Sequence, residues 1–254
     1  MLKTMSKMIN PQEKESGLLQ EMAGSLQRRS FLKYVGAGAA LSTLFLVGCD
    51  DDDDAAQIDY SMDMVNLGSG DVGLLNYAFA LEQLEAAFYI QVIATKFSGM
   101  TALETAVLTD IRDHEIAHRE FFRAAIPAAN RIKDLTPDFS SVNFGDRTSV
   151  LSTAKTFEDL GVAAYNGAGK LFTDTGNGLV YLTLAGKIVS VEARHAAEIR
   201  DLIENGTFAS GAAGIKSGNL IDSNGLDVAM SPTEVLALAK GFIKNQIVAS
   251  NLPQ

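Results

Sequence analysis

Cysteine and positive charge are both scarce in this chain. Cys49 is the only cysteine among 254 residues, so no intrachain disulfide framework can form. The chain has 21 Lys and Arg against 31 Asp and Glu, and the formal net charge of −10 argues against a nucleic acid as its partner. Tryptophan is absent, yet 47% of the residues are hydrophobic. That content is enough for one sizeable core, so we expect an acidic globular domain that folds without disulfides.

The N-terminus lacks a hydrophobic run long enough to cross a membrane. The apolar run at residues 34–48 has fifteen residues, whereas a transmembrane helix needs roughly 20, and this length is typical of a signal-peptide core. Residues 28–33 (RRSFLK) resemble the twin-arginine export consensus, and residues 46–49 (LVGC) resemble a bacterial lipobox. The resemblance implies cleavage before Cys49, lipid on its sulfur, and export to a lipid-anchored, periplasmic or extracytoplasmic position in the cell envelope. An uncleaved N-terminal anchor is the alternative.

Four segments follow from the composition of the chain. We expect residues 1–48 to be the signal peptide. Residues 49–70 should be an acidic tether, because the consecutive aspartates at 50–54 repel one another and keep the chain extended. Residues 71–204 should form a helical domain, and residues 205–254 an irregular segment followed by a C-terminal helix.

Apolar spacing and capping residues predict five helices. Their approximate ranges are 71–97, 101–125, 149–173, 179–204 and 232–248. Asp71 is the predicted N-cap of the first helix. Ser231, Pro232 and Glu234 supply an N-cap, a first-turn proline and a capping-box acid for the fifth helix. The connection at 126–148 is long enough to cross a helical bundle and link two hairpins.

One motif occurs twice in the predicted helices. Each half of the chain contains an E-x-x-H pair, and the two pairs are 77 positions apart. A single glutamate precedes each pair, by 33 residues in the first half and by 34 in the second. The six residues are Glu82, Glu115, His118, Glu158, Glu192 and His195. Residues three apart share one face of a helix, so each pair can reach one ion. The repeat therefore predicts two related helical hairpins that build a metal site.

Glu85 and His114 lie beside the motif but are not repeated. Gly161 stands at the position that matches Glu85, and Val191 at the position that matches His114. We interpret Glu85 as an added ligand or as a group that supports the ligands. His114 is interpreted as a hydrogen-bonded packing residue outside the ligand set.

A tyrosine follows each single glutamate by seven residues, Tyr89 in the first half and Tyr165 in the second. These tyrosines could hydrogen-bond the single glutamates or relay electrons. The favoured interpretation is that they are core residues whose hydroxyl groups have partners.

Four segments resemble the bacterial ferritin-like domain family. They are residues 75–89 (LNYAFALEQLEAAFY), 114–118 (HEIAH), 157–165 (FEDLGVAAY) and 190–195 (SVEARH). The resemblance covers about 71–204. It implies an exported, all-α, ferritin-like four-helix bundle with a long crossover between helices 2 and 3 and an additional C-terminal helix. It also implies a dinuclear carboxylate centre whose ligands, carried over by position, are the six residues of the repeat. Some relatives have an acid where this chain has Val191, so the groups that orient the two histidines are unassigned.

Four carboxylates and two imidazoles form a hard ligand set that suits two Fe ions, with Mn as the alternative. The leading hypothesis is a membrane-tethered redox centre that reacts with O2 or peroxide, as a ferroxidase or peroxidase. One alternative is a metal-binding or envelope-stress structural module without turnover. Another is manganese catalase-like activity. The expected partners are the membrane, through the lipid anchor, metal ions and a small oxidant.

Overall fold

A computed structural model describes residues 63–209 and 221–254. The export motif, the lipobox with Cys49 and the aspartate run lie outside the described residues. In chain order the described elements are β1 (Met64–Asn66), α1 (Gly70–Ala94), α2 (Ala102–Ala125), α3 (Arg147–Gly169), α4 (Gly178–Ile203), α5 (Pro232–Ala239), a 3-10 helix (Lys240–Phe242) and β2 (Gln246–Val248). Among the helices of these two ranges, none combines the length and the apolar composition of a membrane span.

The four long helices form a bundle of two hairpins. α1 packs against α2, and α3 packs against α4, while α1 also contacts α3 and α2 contacts α4. The short helix α5 packs on α3. The predicted all-α four-helix bundle with an additional C-terminal helix is therefore confirmed.

Capping explains where most of these helices begin. Thr101 and Ser231 each form a capping box, with Glu104 in α2 and with Glu234 in α5, as the sequence predicts for α5. The prediction that Asp71 caps α1 is wrong, because the N-cap is Ser69. The Asp71 carboxylate instead accepts hydrogen bonds from the backbone N–H and hydroxyl of Thr173. It thereby ties the start of α1 to the segment that follows α3.

Helix α1 is buried on nearly every side, because the long connection covers the face that points away from the other helices. The Asn76 amide donates to the carbonyl oxygens of Leu67 and Asn130, at 3.0 and 2.8 Å. Gln83 Oε1 accepts a hydrogen bond of 2.8 Å from the backbone N–H of Leu135. These two amide side chains satisfy loop backbone groups that would otherwise be buried without partners. They hold the crossover against α1.

The prediction that the fifth helix continues to about Val248 is wrong. α5 ends at Ala239, and after the 3-10 turn the chain extends into β2, which pairs in parallel with β1. Gly241 disfavours the helix, and the branched residues of β2 favour an extended chain. Val65 in β1 and Leu67 are buried in the core. The end of the predicted tether therefore belongs to the packed domain.

A buried ion pair joins α3 to α4 beside the repeated motif. Arg200 Nε and Nη2 donate to the two oxygens of Asp159 at 2.8 and 2.6 Å, and both side chains are 3–4% exposed. Asp159 directly follows Glu158 in α3. This bidentate pair sets the alignment of the two helices next to the site. This pair could not be predicted from local spacing, because the two residues are 41 positions apart.

Candidate metal centre

The six residues of the repeat converge in the middle of the bundle. One group of donor atoms, all within 4.8 Å of one another, comes from Glu82, Glu115, His118 and Glu192. A second group of the same kind comes from Glu115, Glu158, Glu192 and His195. Glu115 and Glu192 belong to both groups. The arrangement therefore consists of two adjacent four-residue positions that share two carboxylates.

The four glutamates of the site are fully buried, and the two histidines are largely buried. The four glutamates are 0% exposed, and the His195 and His118 side chains are 5% and 13% exposed. Isolated ionised carboxylates are very costly to bury, and four close together also repel one another. The site is therefore built for positive charge, supplied by cations or by protons.

Unpaired polar atoms are concentrated at this site. Ten buried side-chain nitrogen and oxygen atoms of the described residues lack a hydrogen-bond partner, and eight of them belong to the six residues. These eight are both oxygens of Glu115, both oxygens of Glu192, Oε2 of Glu82, Oε2 of Glu158, and Nδ1 of His118 and His195. The closest nitrogen–oxygen approaches, 2.9 Å from His118 to Glu192 and 2.8 Å from His195 to Glu115, lack hydrogen-bond alignment. Each of the two positions therefore has four donor atoms within reach, which are one oxygen from each shared glutamate, one oxygen from a single glutamate and one histidine nitrogen.

The two tyrosines explain why the single glutamates each keep one free oxygen. The Tyr89 hydroxyl donates to Glu158 Oε1 at 2.5 Å, and the Tyr165 hydroxyl donates to Glu82 Oε1. Each tyrosine thus contacts the glutamate of the other half of the chain. Seven residues advance a helix by about 10 Å, so a tyrosine is level with a glutamate on the antiparallel neighbour and not with its own. Burial raises the pKa of both hydroxyls well above its usual value, so both remain donors.

His114 lies against the outer nitrogen of His195. Its Nδ1 is 2.8 Å from His195 Nε2, and His195 Nδ1 faces the centre. His114 is outside both donor groups, as expected, and it is the outer partner of His195, which the sequence alone did not identify. Val191 at the repeated position has no polar side chain, so the two histidines differ in their surroundings. The signal in the sequence was the position of His114 immediately before an E-x-x-H pair.

Glu85 is buried next to the centre but belongs to neither donor group. A methyl group added at Gly161 would lie 3.1 Å from Glu85 Oε1 and 3.5 Å from Glu192 Oε2. The missing side chain of Gly161 therefore makes room for the Glu85 carboxylate beside Glu192. Burial, reinforced by the charge of Glu192, raises the pKa of Glu85 well above its usual value. Burial thus favours the protonated form of Glu85, whose carboxyl group lies beside Glu192.

Protons on both carboxylate and imidazole groups can neutralise part of the negative charge of the pocket. Burial raises the pKa of Glu82 to about 7. The pKa of Glu115 is lowered to about 2, because its contacts with His118 and His195 outweigh the opposing effect of burial. Burial alone would lower the pKa of His195, but the carboxylates of Glu158 and Glu115 raise it to about 11. A metal ion must therefore displace protons from both imidazole and carboxylate groups.

The comparison with known proteins agrees with this geometry. No curated protein matches the chain in a sequence search. A family model described as a ferritin-like domain matches residues 70–205, which is more than half of the 254 residues. The matched region runs from the start of α1 to just beyond α4 and contains all six converging residues. The carboxylate and histidine cluster lies where the two hairpins meet, and the chain belongs to the ferritin-like domain family.

Proposed function

We propose that the six residues bind two iron ions and that the resulting centre carries out redox chemistry with O2 or peroxide, including oxidation of Fe(II). The observation that carries the proposal is the set of eight unpaired donor atoms, divided into two groups of four that share Glu115 and Glu192. Four glutamates balance the charge of two divalent ions. Carboxylate and imidazole donors suit iron, and manganese fits the same set.

The side chains of the centre have separate tasks in this proposal. Glu115 and Glu192, which belong to both donor groups, would contribute to holding both ions. Tyr165 and Tyr89 hold Glu82 and Glu158 so that each offers one oxygen. If two Fe(II) ions were bound, each would be oxidised to Fe(III), and the two electrons would reduce O2 to hydrogen peroxide, or peroxide to water, with protons from solvent. The surrounding core, which leaves the four carboxylates with no exposed surface, keeps bulk water away from that chemistry.

The orientation of His195 is fixed by His114. The hydrogen bond between them keeps His195 Nδ1 toward the centre, which is the role of an outer partner of a metal-binding histidine. His114 is itself exposed, so this pair joins the buried site to the surface of α2. The pair can exchange a proton between His195 Nε2 and solvent.

The test is anaerobic loading of the purified protein with Fe(II), followed by O2 or peroxide. We expect two iron ions for each chain and the appearance of ferric absorbance with consumption of the oxidant. Glu192→Gln should lose both properties, whereas Glu198→Gln changes an exposed carboxylate on the same helix and should retain them. If two ions bind but no oxidant is consumed, the protein is a metal-binding module and not a redox enzyme. Manganese in protein purified from its native envelope would favour the catalase-like reaction.

We further propose that residues 1–48 direct export through the twin-arginine pathway and that Cys49 carries the lipid anchor. The support is the order of the RRSFLK segment, the fifteen-residue apolar run and the LVGC segment. Metabolic labelling with a fatty acid should tag the wild-type chain and not Cys49→Ser. A wild-type chain that stays unlabelled and fractionates with soluble proteins would contradict the anchor without affecting the metal centre.

A further inference from the structure

An apolar cavity lies at the end of the bundle where α1 and α4 begin and α2 and α3 end. The cavity and its mouth enclose about 520 Å³ of empty space, of which about 40 Å³ can be reached by the centre of a water-sized sphere. One water molecule needs about 10–15 Å³ by that measure. The interior is therefore large enough for a molecule of a few atoms, and the chemistry of its wall decides which molecule enters.

The wall of this cavity offers a guest almost no hydrogen bonds. Every lining residue is Leu, Ala, Phe or Tyr. The Tyr165 hydroxyl already donates to Glu82, and the Tyr181 hydroxyl accepts a hydrogen bond from Asn177. The Tyr77 hydroxyl is itself buried and has almost no accessible surface. A buried water molecule is held by about three hydrogen bonds, so water is a poor occupant. Peroxide is also polar and would lose its hydrogen bonds to water on entry.

The inner part of the wall reaches the candidate metal centre. Tyr165 lines the cavity, and its hydroxyl holds Glu82. Leu81 also lines the cavity and directly precedes Glu82 in α1. On α2, Phe122 lines the cavity four residues after His118, so these two side chains share one face of the helix. The cavity therefore adjoins the donor group that contains Glu82 and His118.

The outer part of the wall reaches solvent. Ala125, the last residue of α2, is exposed, and Phe172 and Tyr181 are partly exposed. By contrast, the lining residues Leu81 and Ala164 are buried. The lining thus leads from the surface of the bundle to the side chains beside the centre.

We propose that this cavity takes up dioxygen from solvent and holds it beside the donor group of Glu82 and His118. O2 has two atoms and no dipole, so it fits the interior and gives up no strong hydrogen bonds when it leaves water. Transfer of one methylene-sized group out of water is favoured about fourfold, so a gas of two such atoms should be enriched about tenfold in the cavity. The inference rests on the proposed redox function and goes further, because it names O2, and not peroxide, as the oxidant that enters here.

The first experiment uses the full chain without metal and needs no turnover. Dissolved O2 is paramagnetic, so it speeds the NMR relaxation of methyl groups beside which it resides. Under O2 pressure, with nitrogen at the same pressure as the blank, the methyl groups of Leu81, Ala164 and Ala168 should relax faster. The effect should exceed that at Leu108 and Leu151, which are equally buried but do not line the cavity.

Filling the cavity should remove this effect. Ala168→Leu adds a larger side chain at a buried lining position and should reduce the relaxation effect at Leu81 and Ala164 by about tenfold, which is the enrichment that is lost. Ala185→Leu fills the same cavity from α4 and replaces the first variant if that one does not fold. Ala106→Leu is the matched control, because it makes the same change at an exposed position of α2 outside the cavity wall.

The second experiment compares two oxidants on the Fe(II)-loaded chain. Ala168→Leu should slow oxidation by limiting O2 by about tenfold and leave oxidation by hydrogen peroxide within about twofold. Ala106→Leu should change neither rate. A filling variant that reacts with O2 at the wild-type rate, or that slows equally with both oxidants, would overturn the proposal.

The metal-free measurement separates this proposal from the redox function. If the lining methyl groups relax no faster under O2 than those of Leu108 and Leu151, the gas site is refuted even in a protein that oxidises iron. If they relax faster but neither oxidant reacts with the loaded chain, the gas site stands and the redox function is refuted.

Discussion

The division of the donor atoms predicts that the glutamates of the centre are not equivalent. Glu192 serves both four-donor positions, whereas Glu158 serves one. Glu192→Gln should therefore weaken the binding of both ions, and Glu158→Gln should weaken the binding of one. Changes to groups that only support metal ligands cost about tenfold to 100-fold in affinity, so loss of a ligand should cost about 100-fold or more.

The expected magnitude follows from the linkage between binding and folding. With free metal at 100 times the dissociation constant, each ion adds about 2.7 kcal/mol to the free energy of unfolding. A 100-fold loss of affinity reduces that contribution to about 0.4 kcal/mol. Glu158→Gln should thus lose about 2.3 kcal/mol of metal-dependent stability, and Glu192→Gln about twice as much. At about 2–4 °C for each kcal/mol, Tm should fall by about 5–9 °C and about 9–18 °C.

The assay is thermal unfolding with metal and with a chelator, combined with metal analysis after equilibrium dialysis. Burial and repulsion by Glu115 raise the pKa of Glu192, so glutamine at that position should not destabilise the chelated protein. Glu198→Gln is the control for the loss of an acid from the same helix. Equal losses in Glu158→Gln and Glu192→Gln would refute the sharing of Glu192. Losses of the same size in the presence of chelator would show that the residues serve packing and not metal.

Four further outcomes are expected. Metal affinity should fall as the pH decreases through 7, because Glu82 with a pKa of about 7 takes up a proton that competes with the ion. The stability of the metal-free protein should fall as the pH rises from about 4.5 to about 7, since the raised pKa favours the folded state only while Glu82 is protonated. Both effects are measured by pH-dependent titration and unfolding. Tyr165→Phe should lower the affinity for one ion by about tenfold, because Glu82 loses its hydrogen bond. Competition with a chelator measures this affinity. Arg200→Met should lower the free energy of unfolding by about 3–5 kcal/mol in urea, because it leaves Asp159 buried and unpaired. Addition of Asp159→Leu should recover most of that loss.

Local spacing was sufficient to predict the four long helices and the residues that face the centre. An E-x-x-H pair fixes two side chains on one face of a helix whatever surrounds it, so the six donors could be found from the repeat. Which carboxylates are shared depends on the order of the helices around the bundle, and a single helix carries no information about that order. The crossed tyrosine contacts and the pairing of His114 with His195 could not be predicted for the same reason, because they also join different helices.

The C-terminal segment shows a second limit. The predicted fifth helix began correctly at Ser231, because a capping box is a local signal. Its end depended on β1, a partner about 180 positions earlier in the chain. Pairing with that strand gives the β2 backbone hydrogen bonds that a helix would otherwise supply. The prediction from helical periodicity alone therefore placed the end of α5 too far along the chain.

The crossed hydrogen bonds also bear on the history of such a chain. Neither hairpin can complete a glutamate–tyrosine contact by itself, because α1 supplies one partner and α3 the other. Two copies of the first hairpin, related by a twofold rotation, would provide every one of these contacts and all six donors. A half-length protein of this design would thus bind metal only as a dimer, and fusion of two copies in one chain would free each half to diverge. The two halves of this chain have diverged at two matching positions beside the centre. Glu85 corresponds to Gly161, and His114 corresponds to Val191.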